Sequence, residues 1–262
     1  MSVYQRVTEL EAKGEVFALC MIVKTTGSTP RREGSKMLVF EDGHAEGTIG
    51  GGEMESRVVK EALEAIKAGK PRLVTYSLSE PARGDPGVCG GQMEVYVEPN
   101  LPQPTVVVVG AGHVGKAVAE LAHWLGYQVV VCDDRLDFAT PENIPDAGQY
   151  FQVKLSELPG KVNIHRQTYL VLTTRNVDVD VEGLPELLDT PAAYLGIIGS
   201  KRRWETTRKQ LLEKGISKKQ LDKVVSPMGL DISAETPEEI AVSILAEILM
   251  LRGSADGKRM KA

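Results

Sequence analysis

The run Val106-Val107-Val108-Val109, followed at once by Gly110-Ala111-Gly112-His113-Val114-Gly115, constrains this chain more than any other feature. Consecutive β-branched residues read as a strand buried on both faces, the pattern of a parallel sheet. Joined to Gly-x-Gly-x-x-Gly, that strand opens a dinucleotide-type βαβ unit. Gly110 permits the tight turn, Gly112 lets a pyrophosphate approach the backbone, and Gly115 lets the next helix pack closely on the strand. Lys116 to Leu125 carries Val118, Leu121, Ala122 and Leu125 on one face and stops at Gly126. A second apolar run, Val129-Val130-Val131-Cys132, ends at Asp133-Asp134, close to where an acid meets an adenosine ribose. N–H groups at the helix start then face an anion. The same glycines serve packing in a module without nucleotide, so the motif predicts the fold and leaves occupancy open.

A proline-rich stretch, Pro99-Asn100-Leu101-Pro102-Gln103-Pro104, separates this unit from everything before it. The predicted architecture is α/β: an N-terminal α+β domain over 1–99, a linker over 100–104, and a C-terminal Rossmann-like parallel-sheet domain over 105–262. In the first domain the pattern gives a helix over Ser2–Lys13, strands at Val16–Val23, Lys36–Phe40 and Ala45–Ile49, a helix over Glu53–Ala68, and strands at Leu73–Leu78 and Met93–Val97. Asp42-Gly43 is the tight-turn dipeptide between the second and third strands. In the second domain, strands follow near Tyr150, at Tyr169–Leu172 and at Tyr194–Ile198. Thr236-Pro237-Glu238-Glu239 combines an N-cap, a proline at the first helical position and a glutamate at the third, which starts a final helix.

Four loops carry candidate chemistry. Gly47-Thr48-Ile49-Gly50-Gly51-Gly52-Glu53-Met54-Glu55 passes from strand to helix through three consecutive glycines that can offer N–H groups to a phosphate or carboxylate. Acids in a first helical turn also offset the dipole, the plainer role for Glu53. Thr25 to Ser35 offers hydroxyls with Arg31 and Arg32, an inventory for an oxyanion or equally for a solvated loop. Gly84-Asp85-Pro86-Gly87-Val88-Cys89-Gly90-Gly91 sets one thiol among glycines, a candidate for soft-metal or sulfur chemistry or an inert turn residue. Gly199-Ser200-Lys201-Arg202-Arg203 puts three cations at a helix start, a conflict that an anion relieves.

The 262 residues, 42% hydrophobic and 26% charged, are ordinary for a globular protein. A net charge of −5 with no long basic stretch gives a nucleic-acid surface little support. Arg6, Glu9, Glu11, Lys13 and Glu15 leave no apolar segment near the start for a signal peptide or membrane span, so a cytoplasmic protein is expected. Cys20, Cys89 and Cys132 are odd in number and widely spaced, which favours reduced thiols over a disulfide framework. Cys20 and Cys132 lie in apolar strands and read as packing.

Taken together, Gly27-Ser28-Thr29-Pro30-Arg31, Gly47-Thr48-Ile49-Gly50-Gly51-Gly52 with Glu55, Cys89-Gly90-Gly91, the Gly110 loop, Gly199-Ser200-Lys201-Arg202, and Gly229-Leu230-Asp231-Ile232 running into Glu235-Thr236-Pro237-Glu238-Glu239 resemble the XdhC/CoxI family. These are accessory proteins for the maturation of xanthine dehydrogenases and related molybdenum hydroxylases. The resemblance covers nearly the whole chain. It implies binding of molybdenum cofactor (molybdopterin), support of its sulfuration with a cysteine desulfurase or other sulfur donor, delivery to an apo-hydroxylase, and a homodimer. Two departures limit what carries over. Glu53 stands where relatives often have histidine or cysteine, and Thr173-Thr174-Arg175 stands where many have Thr-His.

The leading expectation is a cofactor-maturation chaperone rather than a free-standing catalyst. Its cofactor-binding residues are Arg31, Gly50, Gly51, Gly52, Glu55, Gly90, Gly91, Gly110, Gly112, His113, Gly115, Asp133, Ser200, Lys201 and Arg202. Cys89 is the reactive thiol and the molybdenum contact. An NAD(P)-dependent oxidoreductase using the Gly110 loop and Asp133 is the alternative, and a scaffold recruiting a sulfurtransferase and a hydroxylase is a third.

Overall fold

The computed structural model describes residues 2–78 and 89–260 and divides into two compact units, Met1–Pro102 and Gln103–Ala262. The first is an antiparallel sheet in the order β3-β2-β1-β5-β4, built from β1 (Phe17–Thr26), β2 (Lys36–Phe40), β3 (Ala45–Gly47), β4 (Arg72–Ser77) and β5 (Gln92–Asn100). Period-two alternation sorts β1 between the two faces. Ala18, Cys20 and Ile22 join a core with Met54, Val58, Ala62, Ala65 and Ile66 of helix α2 (Gly52–Ala68). Phe17 packs with Leu38 and with Leu10 of helix α1 (Val3–Ala12). Each large apolar side chain buried this way contributes about 1.5–3 kcal/mol. Gly69 ends α2 in the left-handed conformation, φ 63°, as a helix-stopping glycine should.

β5 runs further than the sequence pattern suggested, through Pro99 and Asn100, which pair with Ala18 and Phe17 of β1. The proline is tolerated because β4 stops pairing at Val97, so the residues beyond it have a ladder partner on one side only. Part of the proline-rich stretch is therefore strand.

The second unit is a parallel sheet in the order β10-β9-β6-β7-β8, from β6 (Thr105–Val109), β7 (Gln128–Cys132), β8 (Gln149–Phe151), β9 (Thr168–Leu172) and β10 (Tyr194–Ile197). Val106 and Val108 pack in one core with helix α3 (His113–Trp124) and helix α6 (Pro237–Arg252). Val107 and Val109 pack in another with helix α4 (Val177–Leu187) and helix α5 (Lys201–Glu213). Covered faces on both sides explain the unbroken valine run. In α6, Ala241, Ile244, Leu245 and Ile248 are buried while Leu249 is exposed. The chain leaves β6 toward β7 and β8, then returns to β9 on the other side. This places the topological switch point between the C-terminal ends of β6 and β9.

Two contacts fix that edge. A Cβ at Gly115 would stand 1.9 Å from the Gly110 carbonyl oxygen, and one at Gly110 would stand 2.5 Å from the Thr173 carbonyl oxygen. The α3 backbone therefore touches the loop directly. On the other side, Arg203 donates to the Thr174 carbonyl at 3.0 Å, the Thr174 hydroxyl at 2.8 Å, the Asn176 carbonyl at 3.1 Å and Asp180 Oδ2 at 2.7 Å, clamping the β9–α4 loop to α5. Asp180 is 1% exposed and also accepts from the Thr174 hydroxyl.

Gly115→Ala is expected to cost about 3 kcal/mol, because a methyl meets backbone that cannot yield. Gly112 has an extended backbone, φ −74°, and open space around it, so Gly112→Ala should change stability by less than about 0.5 kcal/mol. Denaturant unfolding followed by circular dichroism measures both, and equal effects would contradict the contact's role. Arg203→Ala should cost about 3–5 kcal/mol at neutral pH by leaving Asp180 buried without its counter-charge. Burial already holds the Asp180 carboxyl above its ordinary value against the pull of Thr174 and Arg203, and losing Arg203 raises it further. A carboxyl raised in the fold stabilises below its unfolded value near pH 4, and that stability is lost as pH rises through the folded value. The variant's deficit should therefore be smaller at about pH 4 than at about pH 8, and a deficit that does not shrink on acidification contradicts the assignment.

Candidate functional site

Antiparallel pairing brings the end of β1, the start of β2, the end of β3, the end of β4 and the start of β5 to one edge of the first sheet. Three sequence motifs meet there. A Cβ at Gly91 would stand 2.2 Å from the Ser28 carbonyl oxygen and 2.6 Å from that of Thr26, so the Cys89-Gly90-Gly91 turn fits against the Gly27 loop only because position 91 has no side chain. A Cβ at Gly50 would stand 3.0 Å from Pro30 Cγ, which ties the glycine run to the same loop. The Gly90 amide donates to the Leu78 carbonyl and the Leu78 amide to the Gly91 carbonyl, both at 2.9 Å, closing the end of the β4–β5 pair. Cys89 is exposed on this turn. The preceding Gly84 to Val88 lie outside the described residues.

Within the glycine run the chain supplies its own anion. Glu55 Oε1 accepts from the Thr48 hydroxyl at 2.5 Å and from the amides of Ile49 at 3.1 Å, Gly50 at 3.3 Å and Gly51 at 2.9 Å. Burial pushes its carboxyl up, but these donors outweigh burial and hold it below the ordinary value. Glu55 thus shapes the loop from within. Positive φ angles at Gly50, Gly51 and Gly52 give the three glycines a backbone reason as well. No side chain caps the α2 N-terminus, and Glu53 is drawn aside to Arg57 at 2.6 Å. Arg31 and Arg32 are exposed, with no side-chain hydrogen bond or ion pair among the described residues. A phosphate at this edge would meet the first-turn amides of α2 and the Arg31 guanidinium.

The second edge is the C-terminal side of the parallel sheet. A cleft of about 180 Å³ is lined by Gly110, Gly112, Asp133, Asp134, Arg135, Thr173 and Arg175 among others, and an adjoining one of about 290 Å³ shares Asp134 and Arg175. Gly110 and Gly115 are glycines for packing, but a Cβ at Gly112 meets nothing within 4 Å. Its surroundings are open, on the side where a ligand's phosphate would come close. α3 has no side-chain cap and no acid in its first turn, and His113 at its start is exposed. Asp133 is buried at the end of β7, where its Oδ2 accepts the Ala111 amide at 2.8 Å. Burial raises its carboxyl, yet the Arg135 guanidinium and the amides of Ala111 and Arg135 bring it below the usual value.

The Gly199 motif divides. Ser200 caps α5 by accepting the Arg203 amide, Lys201 and Arg202 stay exposed, and Arg203 turns inward to its clamp. The inward arginine, together with Arg135 and Arg175, is what pattern reading missed. Cys20 and Cys132 are buried, their thiols pushed up to about 12 by desolvation, which makes them inert. His165 is half-buried, and burial lowers its imidazole below the ordinary value. Among the described residues there is no group of three or more His, Cys, Asp and Glu side chains placed to hold a metal ion. No helix among them is long and apolar enough to cross a membrane.

Residues 106–248 match the family model described as the XdhC Rossmann domain, and residues 10–77 match that of the XdhC and CoxI family. The chain is 35% identical over 262 residues to the uncharacterized protein YqeB of Escherichia coli (strain K12), covering 99% of this chain but only 48%, about half, of that relative. It is 22% identical over 272 residues to the molybdenum cofactor insertion chaperone PaoD of Escherichia coli (strain K12), covering 93% of this chain and 85% of that one. It also shares the fold of a Bacillus halodurans protein whose crystal structure is described as a xanthine dehydrogenase, with TM-score 0.52 and 24% identity over 97% of this chain and 96% of the other. With one family model spanning more than half of its length and a second matching its first domain, this chain belongs to the XdhC/CoxI family.

Proposed function

We propose that this chain carries molybdenum cofactor as cargo and passes it to an apo molybdenum hydroxylase of the xanthine dehydrogenase kind. The observation that carries this reading is the meeting of the Gly27–Arg31 loop, the Gly50–Gly52 run and the Cys89–Gly91 turn at one sheet edge. That edge combines an uncapped helix start, a guanidinium and an exposed thiol. These groups suit the two ends of such a cargo: a phosphate for the amides and Arg31, and a soft metal for sulfur. Family membership and the name of the relative PaoD support the same reading. Sulfuration belongs to a separate donor such as a cysteine desulfurase, acting while this chain holds the cargo and Cys89 stands beside the metal. The protein works as a homodimer in the cytoplasm, and the Gly110 loop takes the phosphate of a nucleotide or pterin.

A nicotinamide oxidoreductase is the weaker reading. Among the described residues, the cleft at the Gly110 loop is lined by glycines, aliphatic residues, aspartates, arginines and threonines, with no histidine, lysine, tyrosine or cysteine to move a proton. Both aspartates are held in ion pairs with Arg135 and Arg175.

Purified chain mixed with molybdenum cofactor and passed through a sizing column should retain molybdenum, and the same column run with molybdate alone should not. Arg31→Ala should weaken retention about tenfold, the scale of one charge-assisted contact. Cys89→Ser should keep the pterin but alter the metal's X-ray absorption edge. Elution of the cofactor entirely free of the chain contradicts the proposal, and an unchanged edge removes Cys89 from it.

A further inference from the structure

The acid that ends the second strand of a dinucleotide-binding unit ordinarily accepts hydrogen bonds from a ribose diol. In this chain that acid is already saturated. Asp133 is 3% exposed, and its Oδ1 accepts the Arg135 amide at 3.0 Å and Arg135 Nε at 2.8 Å. Its Oδ2 accepts the Ala111 amide at 2.8 Å and Arg135 Nη2 at 2.7 Å. A carboxylate has about four lone-pair directions, and four donors fill them.

The neighbouring acid is engaged as well. Asp134 holds Arg175 through both oxygens, at 2.6 Å and 2.8 Å. What this wall of the cleft still offers is donors. Each guanidinium has five N–H groups, of which these ion pairs use two. The Arg135 guanidinium carbon sits over the Phe138 ring, 3.3 Å from its centroid, and with the bidentate ion pair this contact restrains its remaining donors. Both arginines line the cleft beside Gly110 and Gly112.

We propose that Asp133 is a positioning residue that locks the glycine loop through the Ala111 amide, and that Arg135 and Arg175 make the cleft select a ligand bearing phosphate at this wall in place of a vicinal diol. The cleft therefore discriminates against NAD. The inference deepens the proposed role of the Gly110 loop as a phosphate pocket, but it is read with probes that contain no molybdenum. Its failure is thus distinct from a failure of cofactor retention.

Calorimetric titration of the full chain with 2′,5′-ADP, 5′-AMP and NAD⁺ tests it. The 2′-phosphate compound should bind at least about tenfold tighter than 5′-AMP, a preference that weakens as salt rises. Arg135→Ala removes a phosphate donor and uncovers the Asp133 carboxylate at once, so the preference should invert: weaker 2′,5′-ADP and stronger NAD⁺. Should that variant fold poorly by circular dichroism, Arg135→Lys keeps the charge without the fork, and the preference should shrink without inverting. Three results overturn the proposal: equal or tighter binding of the diol compounds to the natural chain, loss of NAD⁺ binding on removal of Arg135, and binding of none of the three probes.

Discussion

The contact on which the second domain depends is the backbone of α3 against its own glycine loop. Because nothing larger than hydrogen fits between Gly115 and the Gly110 carbonyl, the helix start is held directly over the end of β6. Gly110 in turn sits against the Thr173 carbonyl, so the ends of two neighbouring strands and a helix N-terminus converge at the switch point. The Asp133 carboxylate fastens the same loop from the β7 side through Ala111. With its neighbours so held, the open space at Gly112 is a feature of the native fold and not of a slack loop.

The first domain reaches a comparable arrangement by a different route. No helix dipole or glycine fingerprint organises it. Antiparallel pairing puts strand ends on one edge, and glycines at 50 and 91 let the loops touch. Glu55 then saturates most of the loop's amides, which leaves the start of α2 and the nearby arginine as the groups free to meet something else. An internal carboxylate holds the anion-shaped loop in one form, which is the preorganisation that the proposed carrier role calls for.

Much of this was legible in the sequence because it rests on periodicity and on glycine. The valine run, the capping box at Thr236 and the stop at Gly69 are local signals, and local physics decides them. What stayed hidden was the pairing of charges across the fold. Asp133 looked like a ribose acceptor because its neighbour two residues on, Arg135, has no sequence mark that it folds back. Arg203 looked like one of three surface cations, and only the packing of α5 against the β9–α4 loop turns it inward. Likewise, the alternating pattern gives a last strand of the first domain that ends at Val97, whereas one-sided pairing carries β5 on through Pro99 and Asn100.

The central claim is that the chain is a carrier: it holds molybdenum cofactor in a form that an apo-hydroxylase can accept. The most direct measurement compares the rate at which apo xanthine dehydrogenase gains activity from free molybdenum cofactor with the rate from the same amount preloaded on this chain. A carrier predicts faster activation that saturates at one loaded chain per active site and is competed by the unloaded chain. Equal rates from free and preloaded cofactor would contradict the account.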